Sequence, residues 1–273
     1  MEQHTVCFPQ AVFFCAAGRC YEKKRRDCMR KIMVLLMVFL LALPVSAVPV
    51  PILMYHHFTW EETGMPDHCS AGAFREHLAA LSEAGYTSVT FKDLLAYADG
   101  IGELPEKPVL LTADDGYRSV VQIALPLLRE YGMTMSAAVV GGRMGAEDGI
   151  PHFSMEEAAG TGLELVSHTW NLHGPEGDGV LNADGSLNPH FIADAARMRQ
   201  MPELCQTVLV YPCGRWSNGS EAVAAAMGYR ITVTTEHGIA DIRRDEPESL
   251  RCLPRICMGD TSGIPFVDTN GQN

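Results

Sequence analysis

The run Pro108-Val109-Leu110-Leu111-Thr112, continuing into Ala113-Asp114-Asp115-Gly116, decides how this chain reads. A short segment that is apolar without alternation is a strand covered on both faces, as in a parallel sheet. The two carboxylates and the glycine mark the point where it leaves the sheet. Outward from there, strand patterns are expected at 50–55, 87–89, 135–140, 163–166, 207–211, 231–234 and 253–256. Helical patterns are expected at 73–84, 91–98, 120–131, 154–160, 189–201 and 221–227. Gly85, Gly132 and Gly228 stand where helices stop, and Ser154-Met155-Glu156-Glu157 has the form of a capping box. Seven or eight strand-then-helix units imply an α/β fold with right-handed crossovers. No GxGxxG follows the first strand, which weakens the dinucleotide-binding open sheet. A (β/α) barrel of seven or eight strands, in a single domain, is the preferred architecture.

Composition sets the class. The 273 residues are 47% apolar and 20% charged, an ordinary globular balance. The formal net charge of −12 argues against nucleic acid as a partner. The basic side chains gather at the start: seven of the 21 Lys and Arg lie in residues 1–47, where only three acidic residues occur. Arg30-Lys31 precede an apolar run at 32–45, and Val45-Ser46-Ala47 resembles a small-residue cleavage site. Fourteen residues make about 21 Å of helix, short of a bilayer core. A signal peptide is therefore expected, with Met29 as an alternative start, 1–47 as extension and leader, and 48–273 as the domain. An uncleaved N-terminal anchor is the other reading, and the only membrane contact expected. Either places the domain outside the cell, secreted or at its surface. Five cysteines remain in the domain, an odd number without CxxC, so no disulfide framework is expected and most read as small buried hydrophobes.

In a parallel α/β fold, chemistry gathers beyond the carboxyl ends of the strands. Four such ends carry polar residues: Tyr55-His56-His57, Ala113-Asp114-Asp115-Gly116, Ser167-His168-Thr169-Trp170-Asn171-Leu172-His173, and Tyr211-Pro212-Cys213-Gly214. Adjacent carboxylates ending an apolar strand are costly to bury without a cation, although a lone Asp-Asp-Gly is commonly a solvated turn. His168 and His173 would stand about 140° apart on a helix, so they converge only if the chain turns after a strand. One carboxylate and two imidazoles leave positions open, as a catalytic metal site requires. The same set occurs in iron(II) oxygenases, whose scaffolds are not built of alternating strand and helix.

These four segments, in this order, resemble the motifs of the polysaccharide deacetylases (carbohydrate esterase family four), from about residue 50 to 257. The five-residue spacing of His168 and His173 resembles the branch acting on exported poly-N-acetylglucosamine. The resemblance implies a distorted (β/α) barrel and a metal-dependent hydrolase removing N-acetyl groups from an amino-sugar polymer such as poly-N-acetylglucosamine or peptidoglycan glycan. It implies Asp114 as general base and Asp115, His168 and His173 as ligands of a divalent metal, zinc first, with cobalt, nickel or iron as substitutes. It implies Tyr211, Pro212, Cys213 and Gly214 as the lining of an acetyl pocket, with the Cys213 N–H as an oxyanion donor. His56 and His237 are the expected general acids. Trp170, between the two histidines, either stacks on a sugar or packs in its loop, and Trp60 and Trp216 have the same two readings. Three departures stand out. Ala113 and Cys213 replace aromatics usual in the family, and no Arg precedes Tyr211 to contact the Asp pair. Arg255, in Leu253-Pro254-Arg255-Ile256, either supplies that contact or forms a surface ion pair. A binding homologue that no longer turns over, an O-acetyl esterase on xylan and an amidase on a linear C–N bond are the alternatives. A monomer is expected.

Overall fold

A computed structural model describes residues 29–31, 47–173 and 179–267. The chain divides into Met1–Val45 and Ser46–Asn273. Within the first unit residues 29–31 are helical, and the apolar run 32–45 expected as a leader lies outside the described residues. No helix among the described residues is long and apolar enough to cross a membrane.

The second unit is a closed parallel barrel of seven strands. In barrel order these are β1 (Ile52–Tyr55), β3 (Pro108–Ala113), β4 (Ser136–Val139), β5 (Glu164–Ser167), β6 (Cys205–Val210), β7 (Ile231–His237) and β8 (Leu253–Cys257). Leu53 closes the ring, pairing with Leu111 on one side and Ile256 on the other. The eighth strand, β2 (Thr87–Val89), pairs only with residues 108–110 of β3, while β4 pairs farther along at Thr112 and Ala113. Leu110 is paired with both Ile52 and Val89, so β2 lies on the β3 edge opposite β1. The buried Glu164 carboxylate holds the helix after β2 against the barrel. It accepts from Phe91 N (2.8 Å), Lys92 N (3.0 Å) and Ser136 Oγ (2.6 Å).

Period-two alternation sorts the strand side chains. Ile52, Leu110, Ala138, Val166, Val208, Val233 and Leu253, one from each barrel strand, share one core cluster, the barrel interior. Their neighbours Leu53, Leu111, Ala137 and Leu165 face outward into a second cluster with Phe74, Leu78 and Leu81 of α1 (Ala71–Glu83). Counting by twos from Leu110 and Val166 carries Asp114 and His168 to one end of the interior column. The alternation that builds the core thus also aims the site.

Most expected elements occur within two or three residues of their places, and α2 (Phe91–Ala98) begins and ends where the pattern put it. Gly85, Gly132 and Gly228 all have positive φ, and Ser154 and Glu157 form the capping box. Two elements differ. The strand expected at 50–55 is broken at Pro51, which has no N–H to pair. Val48–Val50 instead pairs antiparallel with Ala240–Ile242. The helix expected at 120–131 opens as a π-turn, Val120–Ala124, before α3 (Leu125–Glu130). Pro126 clashes with an α ladder four residues back, and the i−5 bond from Leu125 N to Val120 O absorbs the misfit.

Candidate active site

Three strand ends bring the expected residues together. Asp115 Oδ1 lies 3.2 Å from His173 Nε2 and 3.6 Å from His168 Nε2, and the two imidazole centroids are 4.9 Å apart. His168 Nδ1 is 2.8 Å from the Val210 carbonyl. A carbonyl only accepts, so Nδ1 carries the proton and the Nε2 lone pair faces Asp115. Burial holds His168 below the ordinary histidine range, against the raising influence of Asp114 and Asp115. Asp115 Oδ1 is buried with no hydrogen-bond partner. An orphaned anionic oxygen facing two imidazole nitrogens fits a divalent cation, and these three residues form a group whose ligand atoms lie within 4.8 Å of one another.

The chain reaches this geometry through unusual backbone. Asp115 (φ 71°), Thr169 (φ 70°) and Cys213 (φ 54°) are left-handed non-glycine residues, each just past a strand end at the site. Such conformations persist where surroundings enforce them. At the second turn the enforcing group is Asp194, on α5 (Phe191–Met198), where α4 is Met155–Ala158. Its carboxylate accepts from Trp170 N (2.7 Å) and Asn171 N (2.8 Å), clamping the segment between His168 and His173. At the third, a Cβ on Gly214 would collide with Thr235, so only glycine follows Cys213 there.

Asp114, 2% exposed, is gripped by Arg255 through a two-pronged ion pair at 2.8 and 2.7 Å. Burial alone would raise its carboxyl. The Arg255 charge and hydrogen bonds outweigh that, with help from His168 and His56, and hold it well below the usual carboxylate range. Arg255 is itself buried and also donates to Thr234 O and Thr112 Oγ1. The missing contact is thus supplied from β8, and Arg255 is not a surface ion pair.

A cavity of about 410 Å³ opens over the triad, lined among others by Asp115, Tyr117, Arg143, His152, His173 and Cys213. Two turn bonds, Gly214 N to Tyr211 O and Arg215 N to Pro212 O, hold the Cys213 segment without using the Cys213 N–H. His56 is half-buried, and its Nδ1 is buried without a partner. Other expected residues do not meet there. Tyr211 turns its ring into the core and donates its hydroxyl to Glu221 (2.6 Å), so of the expected Tyr211–Gly214 lining Cys213 alone reaches the cavity wall. Trp170 lines a separate cavity rather than the one over the triad, with the Arg197 guanidinium 4.0 Å from its ring. His237 stands exposed at the end of β7 and takes part in none of the site's hydrogen bonds or ion pairs.

Tyr117, Arg143, His152 and Asp194 were not read from the sequence. Tyr117 follows the Asp-Asp-Gly turn directly, a signal that was available. Arg143, His152 and Asp194 lie in segments without a motif. The cysteine reading holds for Cys69, whose burial pushes its thiol up to about 12, whereas Cys213 and Cys257 are exposed. No disulfide forms among the described residues.

Comparison with known proteins agrees with this geometry. The family model described as polysaccharide deacetylase matches residues 101–232. A Bacillus subtilis (strain 168) protein bearing that family's name, YxkH, is 30% identical, across 70% of this chain and 66% of its own length. The poly-β-1,6-N-acetyl-D-glucosamine N-deacetylase of Escherichia coli (strain K12) is 28% identical across 70% of this chain. The matched region is 34% of that enzyme, so this chain spans about a third of it. Among solved structures, the Streptococcus pyogenes deacetylase PplD, determined with acetate, superposes with a TM-score of 0.63 at 22% identity. That match covers 79% of this chain and 95% of PplD and shows the shared barrel. With the matched segment running from the approach to β3 into β7, through both carboxylates and both histidines, the chain belongs to the polysaccharide deacetylase family.

Proposed function

We propose that this protein is a zinc-dependent deacetylase that hydrolyses N-acetyl groups of an amino-sugar polymer of the poly-N-acetylglucosamine kind. The observation that carries this is the convergence of Asp115, His168 and His173 beside a second carboxylate, Asp114, that is held ionised. Asp115 and the Nε2 atoms of the two histidines would hold the cation. When bound, it supplies Lewis acidity toward an amide carbonyl and lowers the pKa of water. The apolar run 32–45 after Arg30-Lys31 supports export, with the domain from about residue 48 acting outside the cell.

Asp114 is the general base of this reading. Arg255 keeps its carboxylate charged and fixed, so it accepts a proton from the attacking water rather than arriving already protonated. The Cys213 N–H, presented by a strained turn, is the donor for the oxyanion that forms as the carbonyl becomes tetrahedral. The amine must leave protonated, and His56 is the better acid of the two expected. It follows Tyr55, whose carbonyl accepts from Asp114 N at 2.9 Å, and it has an unpartnered buried nitrogen, whereas His237 is exposed. Arg255 also supplies the contact that the third motif lacks, which counts against a binding-only homologue.

The test is acetate release from N-acetylglucosamine oligomers. Release should stop on chelation, return with Zn²⁺ or Co²⁺, and fall on the order of 10²- to 10⁴-fold in Asp114→Asn. A wild-type protein that releases no acetate in any metal, or an Asp114→Asn variant as active as wild type, would overturn the assignment.

A further inference from the structure

Three tryptophans occur in the chain, and the fold finds partners for two. Arg197 covers Trp170, and Trp216 Nε1 donates to Glu236 at 3.0 Å. Trp60 is 71% exposed, and among the described residues no ring or cation stacks on it. An indole left in water forfeits the burial that ordinarily fixes it, which marks a contact site when a cavity adjoins. One does: a groove of about 370 Å³ whose lining includes His57, Thr59, Trp60, Arg118, Gln122 and Pro151. The ring is carried on fixed backbone. The strand His57–Thr59 pairs with His68–Ser70, and Phe58 N donates to the buried Ser119 Oγ at 3.0 Å.

The groove shares a wall with the cavity over the triad. Tyr117 and His152 line that cavity and are bridged to each other, and their sequence neighbours Arg118 and Pro151 line the groove. The Tyr117 ring lies 5.4 Å from His57 on the groove side and 5.0 Å from His152 on the cavity side. The charge at the groove is already spent, since Arg118 is held by Glu147 (2.6 Å) and Glu157 (3.0 Å). An aromatic face, the exposed Gln122 and no unpaired Lys or Arg among the described lining residues suit an uncharged, hydroxylated ring rather than an anion.

We infer that the groove is a subsite for a second sugar residue of the same polymer, with Trp60 as its stacking face and Gln122 as hydrogen-bonding partner for its hydroxyls. The inference rests on the proposed function and deepens it, because a catalytic cavity with an adjoining sugar subsite selects chains over single sugars.

The experiment compares acetate release from N-acetylglucosamine and from its β-1,6-linked hexamer by wild type, Trp60→Ala and Trp60→Phe, with hexamer affinity measured by calorimetry. The expected pattern is a higher kcat/KM for the hexamer in wild type. Trp60→Ala should raise KM for the hexamer about three- to tenfold at unchanged kcat, as loss of one stacked ring predicts. Activity on the single sugar should stay level, and Trp60→Phe should recover most of the loss. Equal kcat/KM for both substrates in wild type would overturn the subsite while the deacetylase assignment stands. So would a Trp60→Ala variant that changes neither substrate or slows both alike. A wild type inactive on both substrates but binding the hexamer through Trp60 would remove the assignment and keep the subsite.

Discussion

Asp114 and Arg255 meet at the buried end of the barrel, and each is tolerable there only because of the other. Removing one partner of such a pair leaves an uncompensated charge and costs about 3–5 kcal/mol. Arg255→Met should therefore lower stability by that order in urea unfolding and abolish acetate release. Arg255→Lys keeps the charge but not the fork that spans both carboxylate oxygens, so it should retain the fold with reduced activity. A methionine variant as stable as wild type would show that the pair does not hold the barrel end. The two histidines separate at the same scale. His56→Ala should lose at least about 10²-fold in kcat, the usual worth of a positioned acid. His237→Ala should stay within a few-fold of wild type, and the reverse order in a pH–rate comparison would reassign the acid.

The loop from His168 to His173 depends on a residue outside the proposed metal-binding set. Asp194 ties Trp170 N and Asn171 N, and through them sets where His173 falls after the turn at Thr169. Asp194→Ala should leave the far-ultraviolet circular dichroism of the barrel unchanged while weakening zinc about 10- to 100-fold, as loss of a supporting partner does. Unchanged zinc affinity by competition with a chromogenic chelator would show that the loop holds its shape without the clamp. Elements of this kind mark how far the sequence could be read. The convergence of His168 and His173 was legible because a strand pattern ended just before the first of them. Arg255 was visible as a candidate, but choosing it over a surface pair needed the β8–β1 closure that buries it. Asp194 gave no signal, because its helix shows only an amphipathic pattern and its partners are backbone groups. Pro51 and Pro126 were plain in the sequence, yet their effect depended on which ladder bonds surrounded them. Local patterns thus fixed element type, and tertiary closure decided the breaks and clamps.

Across the whole molecule, buried histidines set the response to acid. His77, His152 and His168 are each 4% exposed or less, and burial is the leading cause that holds all three below the ordinary histidine range. His77 is fixed between the Tyr55 hydroxyl at 3.1 Å and the Ser262 carbonyl at 2.8 Å, away from the triad. A group whose folded pKa is depressed binds fewer protons folded than unfolded once the pH drops below its unfolded value. Its contribution to stability is complete above about 6.5, the unperturbed histidine value, and is lost as the pH falls from there toward the folded value. Asp114 adds a loss of the same sign, but only below about 4, where free aspartates take up protons. The chelated protein should therefore begin to lose thermal stability below about pH 6.5, well before its carboxylates titrate. Each kcal/mol lost lowers Tm by about 2–4 °C in a domain of this size. Melting at pH 8, 6.5, 5.5 and 4.5 reads the curve directly. His77→Gln, which removes one titrating site outside the metal centre, should flatten the upper part of it. A Tm constant from pH 8 to 5 and falling only below 4 would assign acid sensitivity to the carboxylates and remove the histidines from the account.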